Sequence, residues 1–145
     1  MRVLIDSDVV IAAMAGTEDQ SEASQVVMDA LAEGRFTGIT TPVLMANIMF
    51  VLTNKWRISR KHVDRERVVK AMNGLLPLFT MVPVSHADFY ASFASEFIDL
   101  EDGVQHFAAL HATGVDAIIT CNTKDFGPSR IPVMEPTTFA ANHLE

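Results

Sequence analysis

Short apolar runs alternate with longer segments in which apolar residues recur at helical spacing. The apolar runs predict five strands, at Arg2–Ile5, Phe36–Ile39, Leu78–Val82, Ala117–Thr120 and Ile131–Met134. The segments between them predict helices at Glu18–Glu33, Thr41 to about Asn54, about Arg60–Asn73, Ser85–Phe97 and Asp99 to about Thr113. Strands and helices are therefore expected to alternate along most of the chain.

Residues with capping preferences support several of these boundaries. Gly34 is expected just after the first predicted helix, since glycine accepts the left-handed conformation that often ends a helix. Thr41 and Pro42 together indicate a helix start, with a capping hydroxyl followed by proline in the first turn. Ser59 is expected to cap the basic helix that follows, and Gly74 to end it.

The strands are continuous apolar runs, which is typical of a parallel sheet that is covered on both faces. Together with the alternation of strands and helices, this predicts an α/β fold. We expect a three-layer sandwich with a central, mainly parallel sheet of four to five strands flanked by helices. No repeat, low-complexity tract or Pro/Gly-rich linker interrupts the 145 residues, so residues 1–145 are expected to form one domain.

Composition indicates an ordinary globular protein of a reducing compartment. The only cysteine, Cys121, excludes an internal disulfide and falls in a predicted strand, where a buried thiol is expected. Residues 36–54 contain no charged side chain, but their dense apolar part is about half the length that a bilayer requires. Asp6 and Asp8 interrupt the apolar run of a possible secretory signal. We therefore expect a cytoplasmic protein with no membrane association.

Charge is unevenly distributed. The net charge of −7 argues against a protein that coats nucleic acid. Seven of the eleven Lys and Arg residues nevertheless lie between Lys55 and Lys70, opposed there by only Asp64 and Glu66, a local balance of +5. This run is a candidate phosphate-attracting surface. A solvated helix face with some ion pairs is an equally good interpretation of the charge pattern alone.

Acidic side chains follow or precede the predicted strands at informative places. Asp6 follows the first strand, Asn122 and Asp125 follow the fourth, and Asp102 lies in the first turn of the helix before that strand. In α/β sheets, ligands bind beyond the carboxyl ends of the strands. The alternative for Asp99 and Glu101 is purely structural, because acids favour helix N-termini.

If Asp6 and Asp102 do converge, their mutual repulsion favours a divalent cation between them. Mg²⁺ prefers oxygen ligands and is often held by one or two carboxylates plus substrate phosphate. Zinc bound by His106 and His111 is less favoured, because residues five apart do not share one helical face.

Four segments, in this order, resemble the PIN-domain nucleases. They are Leu4-Ile5-Asp6-Ser7-Asp8-Val9, Ala46-Asn47-Ile48, Asp99-Leu-Glu-Asp102-Gly-Val-Gln and Thr120-Cys-Asn122-Thr-Lys-Asp125-Phe126. The resemblance spans nearly the whole chain and implies an RNase dependent on Mg²⁺ or Mn²⁺. It further implies a relationship to the VapC-type bacterial toxins, which are held inactive by an antitoxin and are commonly homodimers.

The resemblance also implies roles for individual residues. Asp6 matches the first metal-binding acid and Asp102 the acid at the start of the late helix, with Asp99 and Glu101 as auxiliaries. Asn122 matches a position that is Asp or Asn in the family, and Asp125 supplies a nearby carboxylate. Supporting roles are expected for Asp8, Thr120 and Ser7, and RNA-backbone contacts for Arg57, Arg60, Lys61 and Arg65.

Asn47 departs from the common family pattern. Many PIN domains place a metal-site Glu at this point, whereas a subgroup reads Ala-Asn-Ile as this chain does at 46–48. An amide offers an oxygen without a charge, so the site has fewer acids. A protein that binds RNA or another protein without cutting is therefore an alternative hypothesis.

A further alternative starts from the first segment. An Asp-Ser-Asp-Val sequence after an apolar strand also resembles the phosphatases of the haloacid dehalogenase type, in which the first Asp is a nucleophile. That family requires a later Lys and a pair of acids after a strand. The fourth strand here ends in Thr-Cys-Asn-Thr, which fits poorly.

Overall fold

The structure is a computed structural model that describes residues 1–16 and 20–145. Its centre is a five-stranded parallel sheet. The strands are β1 Arg2–Ile5, β2 Thr37–Thr40, β5 Phe79–Met81, β6 Ala117–Ile119 and β7 Val133–Met134. They lie side by side in the order β5-β2-β1-β6-β7. A separate antiparallel hairpin is formed by β3 Arg57–Ser59 and β4 His62–Val63.

Helices cover both faces of the central sheet, as expected for a three-layer α/β sandwich. They are α1 Ser7–Ala15, α2 Ser21–Ala32, α3 Pro42–Lys55, α4 Arg65–Leu75, α5 His86–Phe93, α6 Leu100–His111 and α7 Pro136–His143. Within the described ranges, no helix combines the length and the apolar character that a membrane span requires.

The central strand β1 is buried on both faces, which explains its apolar sequence. Val3 and Ile5 belong to one core cluster, and Leu4 between them belongs to the other. Successive side chains of a strand point to opposite faces, so this single strand contributes to both layers of the core. The predicted fold class is confirmed.

Register between β1 and β6 determines where the first acid lies. Ile5 pairs with Ile119, and the Asp6 amide donates to the Ile119 carbonyl at 2.9 Å. The residues that follow these two strands, Asp6 and Thr120, are consequently neighbours at the carboxyl edge of the sheet.

Side-chain caps begin the three helices nearest this edge. Asp6 is the N-cap of α1 and Thr41 that of α3, whose hydroxyl accepts from the Leu44 amide. Asp99 caps α6 by accepting from the Asp102 amide at 3.1 Å. Gly103 then lets α6 lie close to α5, because an added Cβ would come within 2.2 Å of the Ser92 hydroxyl.

The basic segment differs from the prediction. No helix begins at Arg60; a hairpin occupies the first part of the segment and α4 begins at Arg65, capped by Asp64. The Ser59 hydroxyl, expected to be a cap, instead contacts Nδ1 of His62 across the hairpin at 3.0 Å. Helix α4 also continues through Gly74 to Leu75.

Other boundaries differ less. Helix α5 ends at Phe93 rather than Phe97, and residues 94–99 form turns that lead into α6. The start of the first predicted helix, at Glu18, lies outside the described residues. Gly34 does adopt the predicted left-handed conformation, with φ of 73°. Cys121 lies two residues beyond β6 and is partly exposed, so the prediction that it falls within a buried strand is wrong.

Candidate metal and phosphodiester site

Ten residues line a cavity of about 230 Å³ at the carboxyl edge of the sheet. They come from the β1–α1 junction, α3, the start of α6 and the turn after β6. The lining residues are Asp6, Ser7, Asp8, Leu44, Asn47, Asp99, Glu101, Asp102, Asn122 and Asp125. Acids that are up to 119 positions apart in the chain therefore share one small cavity, which we call the acid cavity.

Asp6 is the most buried acid of the acid cavity, with 8% of its surface exposed. Its carboxylate accepts from the Ser7 amide at 2.8 Å and from the Thr120 hydroxyl at 2.9 Å. Burial, the charge of Asp8 and the charge of Asp99 nevertheless raise its pKa to about 7, against the lowering effect of the two hydrogen bonds.

Asp8 connects helix α1 to the turn after β6. It accepts from the Cys121 amide at 3.2 Å and contacts the Thr120 hydroxyl at 3.3 Å. A hydroxyl has a single hydrogen, which Thr120 can donate to either Asp6 or Asp8. Thr120 therefore links the two carboxylates. Burial raises the pKa of Asp8, against the lowering effect of these hydrogen bonds.

A second group of carboxylates faces Asp6 from the late part of the chain. One oxygen from each of Asp99, Asp102 and Asp125 lies within 4.8 Å of the others. Burial and then the charges of Asp6, Asp99, Asp125 and Asp8 raise the pKa of Asp102 to about 8. The amide of Asn122 donates to Asp125 at 2.7 Å, which orients that carboxylate.

Asn47 reaches the acid cavity from helix α3. Its side-chain amide donates to the Ser7 hydroxyl at 2.9 Å. The amide oxygen of Asn47 has no hydrogen bond to any residue in the described ranges. An uncharged oxygen donor is therefore present beside the acids.

The cationic residues predicted to bind RNA are not part of the acid cavity. Arg57, Arg60 and Lys61 lie in the exposed hairpin, and Arg65 begins α4. Arg57 contacts the side-chain oxygen of Asn54 at 3.2–3.4 Å. The basic run is therefore divided between this exposed hairpin and the solvated face of α4, where Arg65, Arg67 and Lys70 are exposed.

A family model described as PIN domain matches residues 2–124 of this chain. The chain belongs to the PIN domain family. No functionally curated protein matches the sequence.

Solved structures share this PIN fold at low sequence identity. PAE2754 from Pyrobaculum aerophilum aligns with a TM-score of 0.69 and 12% identity, covering 99% of this chain and 90% of its own. A toxin-antitoxin complex from Klebsiella pneumoniae aligns at 0.63 and 18%, covering 92% and 97%. VapC20 from Mycobacterium tuberculosis, described as a toxin that cleaves the sarcin-ricin loop, aligns at 0.59 and 10%, covering 89% and 98%.

Two features of this PIN domain site were not predicted from the sequence. Leu44 lines the acid cavity one helical turn before Asn47. Residues three apart lie on the same face of a helix, so this spacing could have indicated that Leu44 faces the cavity with Asn47. Behind the cavity, the Thr41 hydroxyl donates to the buried side-chain oxygen of Gln105 at 2.5 Å. This bond joins the N-cap of α3 to α6, one turn after Asp102, and no sequence signal indicated it.

Neither histidine of α6 lines the acid cavity. His106 is buried, and the Arg130 amide donates to its Nε2 at 3.0 Å. Burial, followed by the charges of Arg130 and His111, lowers its pKa to about 4. His111 instead contacts Asp88 of α5 at 2.6 Å. The two side chains have separate structural partners.

Proposed function

We propose that this PIN domain is a metal-dependent endoribonuclease that hydrolyses RNA phosphodiester bonds. The observation that carries the proposal is the convergence of Asp99, Asp102 and Asp125 within 4.8 Å, facing the buried Asp6 in the same cavity. Carboxylates that lie this close repel one another and lower the stability of the fold. Such clusters are typical of functional sites.

The donor set fits Mg²⁺ or Mn²⁺. Every ligand that the acid cavity offers is oxygen, from carboxylates, the Asn47 and Asn122 amides and the Ser7 hydroxyl. Hard cations prefer these donors, whereas zinc favours nitrogen and sulfur. The raised pKa values of Asp6 and Asp102 further support the fit, because burial and then neighbouring negative charge disfavour their ionised forms, and a bound cation offsets both effects.

We assign Asp6 and Asp102 as the principal ligands, with Asp99 and Asp125 as further carboxylates around the same position. When bound, the metal would lower the pKa of a water molecule and stabilise negative charge on the phosphodiester. Thr120 holds the Asp6 carboxylate, and Asn122 holds that of Asp125. Glu101 and Asp8 add negative charge at the rim and on the α1 side, which strengthens cation binding.

The basic hairpin supports RNA as the substrate. Arg57, Arg60 and Lys61 project from an otherwise acidic protein, where they attract the phosphate backbone of a flexible strand. Such contacts position the nucleic acid and contribute affinity without reading its sequence.

The experiment is RNA cleavage in the presence and absence of Mg²⁺ or Mn²⁺. We expect cleavage by the wild-type protein, and its loss in Asp6→Asn and Asp102→Asn. Asp29→Asn removes an exposed acid on α2 and serves as the matched control. Circular dichroism would establish that all variants fold. Equal cleavage by all four proteins would assign the activity to a contaminant.

Binding without cleavage is the second candidate function. It is favoured by one observation, that Asn47 offers an amide to Ser7 at the position where many PIN domains place a metal-site Glu. Binding of RNA by the wild-type protein, with no cleavage at any Mg²⁺ or Mn²⁺ concentration, would favour this function over the first.

We further propose that the chain is the toxin of a toxin-antitoxin pair and forms a homodimer in the cytoplasm. The toxin-antitoxin complex from Klebsiella pneumoniae and the VapC20 toxin support this by their shared fold. Induced expression should arrest bacterial growth for the wild type and not for Asp102→Asn. Growth arrest by both would contradict a toxic nuclease activity.

A further inference from the structure

Helices α3 and α6 contribute two walls of the acid cavity. Leu44 and Asn47 of α3 line one wall, and Asp99, Glu101 and Asp102 at the start of α6 line the other. Beside the cavity, a groove of about 520 Å³ opens between α3, α5 and α6, and Asn47 and Glu101 line this groove as well. Apolar packing therefore does not close the gap between the two walls at these residues.

One buried hydrogen bond joins the two helices behind the acid cavity. The hydroxyl of Thr41, the N-cap of α3, donates to the side-chain oxygen of Gln105 on α6 at 2.5 Å. The exposed fractions of the two residues are 0% and 1%. Among the described residues, no other hydrogen bond connects α3 or its N-cap with α6. This bond is therefore placed to set the separation of the two walls.

Each end of the bond lies one helical turn from a residue of the acid cavity. The Thr41 hydroxyl also accepts from the amide of Leu44 at 3.0 Å, so it is held from two directions. Gln105 follows Asp102 by three residues, which places the two side chains on one face of α6. A change in the bond would consequently move Leu44 or Asp102 relative to the other wall.

Packing alone does not account for a glutamine at position 105. The side-chain nitrogen of Gln105 is buried and has no hydrogen-bond partner among the described residues. A buried amide nitrogen without a partner lowers the stability of the fold, and an apolar side chain of similar length would avoid this cost. An apolar side chain could not, however, accept the hydrogen bond from Thr41.

We propose that Gln105 is a positioning residue that fits the acid cavity to a small divalent cation. Mg²⁺ requires ligands at about 2.0–2.1 Å in near-ideal octahedral geometry, whereas Ca²⁺ accepts about 2.3–2.6 Å and irregular geometry. A fixed distance between the walls therefore favours Mg²⁺, and a loosened one loses that preference. The inference rests on the metal site of the proposed function, and not on RNA as the substrate.

The experiment is titration of the full chain with Mn²⁺, with free Mn²⁺ measured by electron paramagnetic resonance and with Mg²⁺ and Ca²⁺ as competitors. Loss of a residue that orients metal ligands typically weakens metal binding, so we expect Gln105→Met to raise the dissociation constant for Mg²⁺ by about 10-fold. The dissociation constant for Ca²⁺ should change by less than about 2-fold, because Ca²⁺ tolerates irregular geometry. The preference for Mg²⁺ over Ca²⁺ should therefore fall.

Two controls separate this role from a purely structural one. Gln25→Met makes the same substitution at an exposed position of α2 outside the acid cavity, where Gln25 donates to Asp29, and it should change neither affinity. Thermal melting in EDTA should change little in Gln105→Met, because the variant loses a hydrogen bond but also the unpartnered nitrogen. A purely structural role would lower the melting temperature and weaken both cations alike.

Thr41 gives an independent test of the same bond. Thr41→Ser keeps the hydroxyl and should keep the preference for Mg²⁺, whereas Thr41→Val removes the hydroxyl and should lower the preference as Gln105→Met does. If both residues act through their shared bond, the double variant should be no weaker than either single variant. The two Thr41 variants also decide the question if Gln105→Met does not fold.

Three results would overturn the inference. These are an unchanged preference for Mg²⁺ in Gln105→Met, an equal loss of preference in Gln25→Met, and additive losses in the double variant. A wild type that binds neither cation would overturn both this inference and the proposed metal-dependent function. If the wild type prefers Mg²⁺ in a way that depends on Gln105 but cuts no RNA, only the proposed nuclease function fails.

Discussion

The side chain of Asn47 donates a hydrogen bond to the hydroxyl of Ser7, 40 positions earlier in the chain. This bond joins helix α3 to the first turn of α1 at the rim of the acid cavity. It gives the uncharged Asn47 a defined structural role where an acid would add to the repulsion among the carboxylates.

Replacing Asn47 by Glu should therefore strengthen metal binding and weaken the metal-free fold. A further carboxylate raises the attraction for Mn²⁺, and we expect about 10-fold tighter binding, equivalent to about 1.4 kcal/mol. Calorimetric titration with Mn²⁺ would measure the affinity. Asn47→Ala removes the bond to Ser7 without adding charge, and it should not tighten binding. A weaker affinity in Asn47→Glu would place residue 47 outside the ligand set.

Asp102→Asn should stabilise the metal-free protein although it removes the proposed activity. Burial and four neighbouring acids disfavour the charged form of Asp102, and an amide of the same shape avoids that cost. We expect a gain of about 1 kcal/mol, allowing for solvent screening of a partly exposed group, or about 2–4 °C in Tm. Thermal melting in EDTA would measure it. A lower Tm would mean that Asp102 makes a stabilising contact as a carboxylate.

Metal-free stability should fall as the pH rises from 6.5 to 8. The folded-state pKa values of Asp6 and Asp102, about 7 and about 8, lie above the unfolded value of 3.8. In this interval the folded protein binds protons that the unfolded chain has already released, so deprotonation favours unfolding. His106, with a folded pKa of about 4 against 6.5 in the unfolded chain, opposes this trend near pH 6.5, where the unfolded side chain is half protonated, and adds little slope above pH 7.

The expected loss over this interval is about 1–2 kcal/mol after an allowance for solvent screening of the partly exposed Asp102, measured by urea unfolding in EDTA at each pH. Saturating Mg²⁺ should remove most of the slope, because the bound cation keeps both carboxylates ionised in the folded state. The double variant Asp6→Asn, Asp102→Asn should show little slope with or without metal. An equally steep decline in this variant would trace the effect to other groups.

The hairpin cations should affect RNA affinity rather than the rate of cleavage. For Arg60→Gln and Lys61→Gln, we expect weaker binding, and each lost phosphate contact should reduce the salt dependence of log K by about 0.7 for a single strand. Filter binding in Ca²⁺ at several salt concentrations would measure this, and saturating RNA would show whether kcat is unchanged. Glu33→Gln, on the surface after α2, is a charge-changing control. An unchanged salt slope in both cationic variants would exclude the hairpin as a phosphate-binding surface.

Sequence pattern predicted the central sheet well because its strands are short and because the adjacent strands β1 and β6 are buried and almost uniformly apolar. The same pattern failed for α1, where Ser7–Ala15 is apolar on nearly all sides and carries no helical period. It also failed between 57 and 65, where a high density of charge resembled a helix surface. The structure shows a hairpin there because Asp64, rather than Ser59, supplies the side-chain cap of α4.

The positions of the acids relative to the strand ends could also be predicted from the sequence, since a parallel sheet brings the carboxyl ends of its strands to one edge. Contacts between individual side chains could not be predicted. The Thr120 link between Asp6 and Asp8 and the bond from Thr41 to Gln105 depend on register and helix packing. Such contacts are set by the tertiary structure, because no local sequence pattern encodes which polar groups meet.

Asp6 alone separates strand β1, which ends at Ile5, from helix α1, which begins at Ser7. Because no other residue separates the two elements, inserting or deleting one residue here would turn the Asp6 carboxylate away from the other acids or remove the N-cap of α1. On the opposite wall, the turns at residues 94–98 precede Asp99 and offer length that can change. Related chains should therefore vary in length ahead of the late acids and keep the first junction invariant in length.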